Sequence, residues 1–208
     1  MVSLKKNDTV LLEVPFDDDV VQAPENRKLL SVENIVKFAD EVKIEDVQEV
    51  LQRQIDYNMA IAQAGMDGSY GATIGKILLK SYGNCIQNRA KAWAAAGSDA
   101  RMCGCELPVV INSGSGNQGM TASIPVIVYA REMGMTQDAL YRALVVSNLV
   151  TIHLKTGIGS LSAYCGATSA GCGAGAGICY LYGGRFDQIS HTIVNALAIN
   201  SGMICDRA

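Results

Sequence analysis

From Ser31 onward, apolar residues recur at helical spacing, and that periodicity predicts a chain that is mostly α-helix. Ser31 is a fitting N-cap for a short helix reaching about Glu41. A longer helix follows, with Ile44, Val47, Leu51, Ile55, Met59 and Ala62 on one stripe. Gly65 and Gly68 suit its C-terminal turn. Further helices are expected over residues 72–82, 85–101, 116–133, 137–156, 164–182 and 186–204, with Thr136 capping the one that begins at 137 and Gly134 ending the one before it. The pattern before Ser31 is different. Residues 9–16, TVLLEVPF, are apolar and β-prone, and they read as one strand stopped by Pro15. Residues 17–30, with three aspartates and the Pro24-Glu25-Asn26 breakers, read as a linker. One strand makes no sheet by itself, so it calls for a partner sheet that is missing or supplied by another chain. No fixed-period repeat is present. The expected class is mostly α: a multi-helix catalytic domain over residues 29–208 and a short β-prone arm with linker over residues 1–28.

Composition narrows the partners. At 49% hydrophobic and 18% charged, 208 residues can bury a real core and do not read as disordered. The net charge of −3 leaves no basic surface for nucleic acid. Asp17, Asp18 and Asp19 form a short charge run that reads as a solvated turn. The longest uncharged run lies between Lys155 and Arg185 and is long enough to span a bilayer. Its Gly, Ala, Ser and Cys residues contribute little transfer energy, however, so it reads as a closely packed buried helix rather than a membrane span. Residues 1–8 are polar and charged, unlike a secretory signal, so a cytoplasmic location is expected. That location would keep the seven cysteines reduced, and their odd number argues against a full disulfide framework.

Four segments could carry chemistry. Ser113, Gly114, Ser115, Gly116, Asn117, Gln118 and Gly119 follow the apolar run at 107–111, a possible strand, and open a helix. The spelling matches a dinucleotide fingerprint, but no second strand and no ribose-binding acid follow. Helix-start amides better suit a small anion such as a substrate carboxylate, with Asn117 adding side-chain hydrogen bonds; a plain Gly-rich turn is the alternative. Cys103 and Cys105 could chelate a metal or simply end a helix, and their role is open, as is that of Cys85. His153 and Lys155 precede the uncharged stretch and are candidates for acid–base chemistry or carboxylate pairing, or side chains snorkelling at a helix end. Downstream, Cys172 and Cys179 share a helix face among small residues and read as packing thiols. Cys165 sits near a helix start, where the dipole favours a thiolate. The fourth segment ends at Cys205, which follows a Gly-marked turn beyond the last helix.

Three of these stretches resemble a known family. SGSGNQG, HLKTGIGSLSAYCGATSAGCGAGAG and GMICD are similar to segments of the serine dehydratase α subunit and the iron–sulfur L-cysteine desulfidases, most of all their desulfidase-like branch. The resemblance runs from about Leu29 to Ala208. It implies a 4Fe–4S cluster held by three cysteines, with Cys165 matching the first ligand, Cys205 the second, and the third expected beyond Ala208. It also implies a substantial N-terminal portion, of which residues 1–28 would be a remnant, so the chain is expected to be a fragment. The implied activity is β-elimination from L-cysteine to pyruvate, ammonia and hydrogen sulfide. L-serine dehydratase is the neighbouring alternative, and a non-catalytic helical domain that binds a partner chain is the alternative of another class. A small amino-acid substrate, and a homo-oligomer or partner chain, follow from the same resemblance.

Overall fold

The computed structural model describes residues 2–6, 9–14, 24–159 and 165–202. Eight α-helices make up most of them: α1 (Val32–Glu41), α2 (Ile44–Asp67), α3 (Ile74–Tyr82), α4 (Ile86–Met102), α5 (Gly116–Glu132), α6 (Gln137–Ile158), α7 (Gly166–Leu181) and α8 (Phe186–Ile199). The chain is mostly α, as its periodicity predicts. Strands β1 (Val2–Lys6) and β2 (Thr9–Val14) pair antiparallel, so the strand expected over 9–16 is paired with the residues just before it.

Local chemistry sets several helix ends as expected. The Ser31 hydroxyl accepts from the Asn34 amide, and the Thr136 hydroxyl accepts from the Ala139 amide. The predicted stripe on α2 is its core face: Leu51, Ile55 and Ala62 are buried, and Ile44, Val47 and Met59 pack against the core. Gly65, expected to end this helix, instead lies inside it. A Cβ there would run into the Ala96 carbonyl, so this glycine lets α4 approach the α2 backbone. Residues 107–111 form no strand. With no neighbouring strand to pair with, they are held by Asn58, which accepts from the Val110 amide at 2.9 Å and donates to the Val110 carbonyl at 3.3 Å.

Helix directions position the site. Along α7, a Cβ on Gly177 would meet the Ala143 carbonyl, and one on Gly173 would meet the Ser147 carbonyl, so α6 runs antiparallel to it. Contacts of Gly166 with Gln118 and of Gly177 with Val126 show that α5 runs parallel to α7. Gly175 faces Thr192, and Ala196 and Asn200 share a cleft with Cys165, so α8 runs back down the other side. One end of the bundle thereby gathers the starts of α5 and α7 and the ends of α4, α6 and α8. The main core joins residues of α1, α2, α5, α6, α7 and α8, and a smaller one joins α2, α4 and α5 around Met120 and Ile124. No described helix is long and apolar enough to cross a membrane.

Candidate active site

The loop that opens α5 is a tight reversal. Ser113 and Gly114 both have positive φ, 49° and 93°, and Asn112 and Ser115 exchange backbone hydrogen bonds of 3.2 Å across them. Two positive φ values in succession define a mirror-image turn that favours glycine. Buried amides fix its position. Asn112 donates at 2.8 Å to the Asn148 carbonyl oxygen of its side chain, and Asn148 and Gln54 exchange side-chain hydrogen bonds of 2.8 and 2.9 Å. The Ser113 hydroxyl donates to Asn112 Oδ1 at 2.7 Å. This polar ladder joins α2, the turn and α6. Gly119 completes it, because any Cβ there would collide with the Val110 carbonyl.

Ser115 is the N-cap of α5 and makes no side-chain bond to the first-turn amides. Those amides form the positive end of the helix. Arg101, from the last turn of α4, lies against them. Its Nε would stand 2.5 Å from a Cβ on Gly116, and its Nη1 donates to Asn117 Oδ1 at 3.2 Å. The Asn117 side chain, expected to bind an anion directly, thus orients the guanidinium. The sequence reading missed Arg101. An arginine at a helix end is ordinary, and only the fold carries it over the α5 start.

Gln118 points the other way. Its side chain fills the space over Gly166, the first residue of α7. It is 7% exposed, and its Oε1 is buried with no hydrogen-bond partner. Next to it, Cys165 is the half-buried N-cap of α7 and borders a cleft of about 380 Å³ with Thr168, Cys172, Ala196 and Asn200. Cys172 is 1% exposed, and burial pushes its thiol pKa up, as befits a packing residue. Cys179 packs against the main core.

Lys155 is 5% exposed in the last turn of α6, and among the described residues its amine has no hydrogen bond or ion pair. Residues 143 and 147 pair with 177 and 173; two further turns of this antiparallel step bring Lys155 level with Cys165. His153 is half-buried on the same helix end. Cys85 is the exposed N-cap of α4, at the far end of that helix from Arg101. Cys103 and Cys105 follow α4 but face Gly71 and Tyr70; a hydrogen bond from Tyr70 to Cys105 raises the tyrosine pKa. Cys205 lies outside the described residues. No group of three His, Cys, Asp or Glu side chains that could hold a metal occurs among the described residues.

The sequence profile of the serine dehydratase alpha chain matches residues 12–208. The chain belongs to the serine dehydratase alpha-chain family. Its similarity to curated members is high throughout. A UPF0597 protein of Desulfitobacterium hafniense is 62% identical over 100% of this chain and 48% of the relative. One from Lachnoclostridium phytofermentans is 52% identical over 94% and 48%, and one from Treponema denticola is 47% identical over 100% and 50%. The chain thus spans about half the length of these relatives. No solved structure matches it. Within the serine dehydratase alpha-chain fold as seen here, two parallel helices start side by side, with a cysteine at one start and an arginine at the other.

Proposed function

We propose that this chain is the cluster- and carboxylate-binding half of an iron–sulfur lyase that takes L-cysteine and water to pyruvate, ammonia and hydrogen sulfide. The observation that carries this reading is the contact between Gln118 and Gly166, which sets the anion-ready start of α5 beside Cys165. Cys165 and Cys205 would hold a 4Fe–4S cluster, with a third cysteine beyond Ala208.

The described donors suit that group. Cys165 sits at the positive end of a helix, which favours thiolate, and it borders a cleft of about 380 Å³. Asn200, on the approach to Cys205, lines the same cleft. When bound, the cluster supplies a soft Lewis acid toward the substrate carboxylate and the departing thiolate. The chain's own groups do the rest. The amides at the start of α5 and the Arg101 guanidinium bind the carboxylate and set the register of the α- and β-carbons. Gln118 and Lys155 are buried at this end of the bundle. Lys155 Nζ and the His153 imidazole are the candidate proton carriers for the α-carbon. Loss of that proton and of the β-thiolate leaves aminoacrylate, which tautomerises and hydrolyses to pyruvate and ammonia.

The family description itself favours a second reading, L-serine as substrate with hydroxide as the leaving group. The full-length protein, kept anaerobic, separates the two. Sulfide release from L-cysteine well above pyruvate formation from L-serine supports the desulfidase, and the reverse ratio supports the dehydratase. No turnover of either would leave a helical domain that binds a partner chain.

A further inference from the structure

Cys103 and Cys105 take no part in the proposed reaction, yet the fold brings both thiols to one loop. Cys103 caps the end of α4, and Gly104 follows it with a φ of 82°. The Gly104 amide donates to the Arg101 carbonyl at 3.3 Å, and the Cys105 amide donates to the Ala100 carbonyl at 3.0 Å. This helix stop folds residue 105 back against the last turn. The loop between α2 and α3 lies against it. Cys103 Sγ would stand 3.2 Å from a Cβ on Gly71, and the Tyr70 hydroxyl donates to Cys105. Asp99 pins the same loop, its Oδ2 accepting from the Ile74 amide at 2.7 Å. The two thiols thus meet two consecutive residues of one loop, and they are not equivalent. Cys103 is exposed and Cys105 is half-buried. Nothing stands within 4 Å of a Cβ on Gly104 between them, so the turn is open to an approaching molecule.

From this arrangement we infer that Cys103 and Cys105 are a reversible dithiol–disulfide pair, in which Cys103 meets a small external disulfide such as glutathione disulfide and Cys105 resolves the adduct. This is independent of the proposed reaction. The reach is right. Residues separated by one other have Cα atoms at most about 7 Å apart, the turn at Gly104 brings them closer than an extended chain would, and a disulfide spans roughly 4.4–6.8 Å between Cα atoms. The steps balance. The Cys103 thiolate attacks the external disulfide, forms a mixed disulfide and releases one glutathione thiolate. The Cys105 thiolate then attacks the Cys103 sulfur, closes the ring and releases the second. Two protein thiols are oxidised, one external disulfide is reduced, and the two protons lost by the cysteines are taken up by the two released thiolates. An exposed thiol backed by a sheltered resolving one is the arrangement that reversible thiol sensors use. Closing the ring withdraws Cys105 from Tyr70, so the loop before α3 reports the state of the pair.

Trypsin gives the test a clean readout, because the fragment Met102–Arg131 carries these two cysteines and no other. The full-length protein is treated with glutathione disulfide, its free thiols are blocked with N-ethylmaleimide, and this fragment is weighed. It is expected unlabelled and lighter by two hydrogens, and excess reduced glutathione is expected to restore both labels. Cys105→Ser is expected to stop with glutathione on Cys103. Cys103→Ser is expected to react with glutathione disulfide about tenfold or more slowly, because its remaining thiol is sheltered. Tyr70 supplies a second readout. The hydrogen bond to Cys105, and then the charge of that group, raise the tyrosine pKa above 10.0. Oxidation should therefore move one phenol titration down toward 10.0 in the wild type and none in Tyr70→Phe. The pair is overturned if the wild-type fragment keeps both labels, if it stops with glutathione on Cys103, if the two serine variants react at equal rates, or if oxidation leaves the phenol titration unchanged.

Discussion

At the scale of single residues, glycines and amides do more than the charged groups in shaping this site. Gly166 has no room for a side chain, because the Gln118 amide occupies it. Gly166→Ala is expected to drive Gln118 out of position and to lower the melting temperature with little loss of helix content, as measured by thermal denaturation and circular dichroism. Asn58 is fully buried and serves the Val110 amide, the Val110 carbonyl and the Ser123 hydroxyl. Asn58→Leu leaves those groups dry and unpaired and should lower unfolding free energy by about 1–3 kcal/mol or more; a change within error of zero in urea denaturation would show that the loop is held by something else. The cysteine count turned out to matter less than cysteine placement. Seven thiols suggest a metal site, but Cys85, Cys103 and Cys105 turn away from it and Cys172 is buried packing. The segment with the alternating Ser-Gly spelling was legible as a turn before a helix, because two residues of positive φ in succession are a local property. Arg101 was not legible, because its role depends on where α4 ends relative to α5, which no spacing in the chain reports.

At the scale of elements, the parallel pair α5 and α7 and the antiparallel α6 form the frame. Small residues let α6 and α7 approach: a Cβ on Gly173 would press on Thr151 Oγ1 and stand 2.5 Å from the Ser147 carbonyl. Gly173→Ala overpacks this contact and should cost about 1–3 kcal/mol in unfolding free energy, with a lower melting temperature as the readout. The uncharged run after Lys155 was read as a closely packed helix for this reason, and the helix over Gly166–Leu181 bears that out. Its neighbour α1 is tied to α7 by a polar contact that titrates. The Tyr180 hydroxyl donates to Asp40 Oδ1 at 2.5 Å, and burial first, then this hydrogen bond, push the tyrosine pKa from 10.0 up to about 12. The folded chain therefore holds the phenol proton more tightly than the unfolded one. That stability is fully present below pH 10.0 and is lost as pH rises toward about 12. Denaturation midpoints taken at pH 8 and at pH 11, roughly either side of the unfolded tyrosine value, should fall more for the wild type than for Tyr180→Phe; equal falls would mean that this contact carries no proton linkage. Helix periodicity was readable from sequence because the apolar stripes are local. The possible strand at 107–111 does not form, because a short apolar run reads alike whether a neighbouring strand or a side chain such as Asn58 at Val110 meets its backbone.

At the scale of the whole molecule, connectivity brings chemistry together that the sequence spreads from Arg101 to Cys165. Arg101, Asn117, Gln118, Lys155 and Cys165 come to one end of the bundle because α4 and α6 end where α5 and α7 begin. Mostly α architecture and membership of the serine dehydratase alpha-chain family were both visible in the sequence, the first from periodicity and the second from long motifs. The chain spans about half of its curated relatives, so the proposed reaction belongs to the full-length protein. Under the proposed function, Cys165 at the start of α7 holds the cluster, whereas Cys172 and Cys179 only pack. This assignment is tested most directly by the iron and inorganic sulfide bound per chain after anaerobic reconstitution of the full-length protein, comparing wild type, Cys165→Ala and Cys179→Ala. About four irons and four sulfides are expected for the wild type and for Cys179→Ala, and close to none for Cys165→Ala. A full complement in Cys165→Ala, or none in the folded wild type, would contradict it.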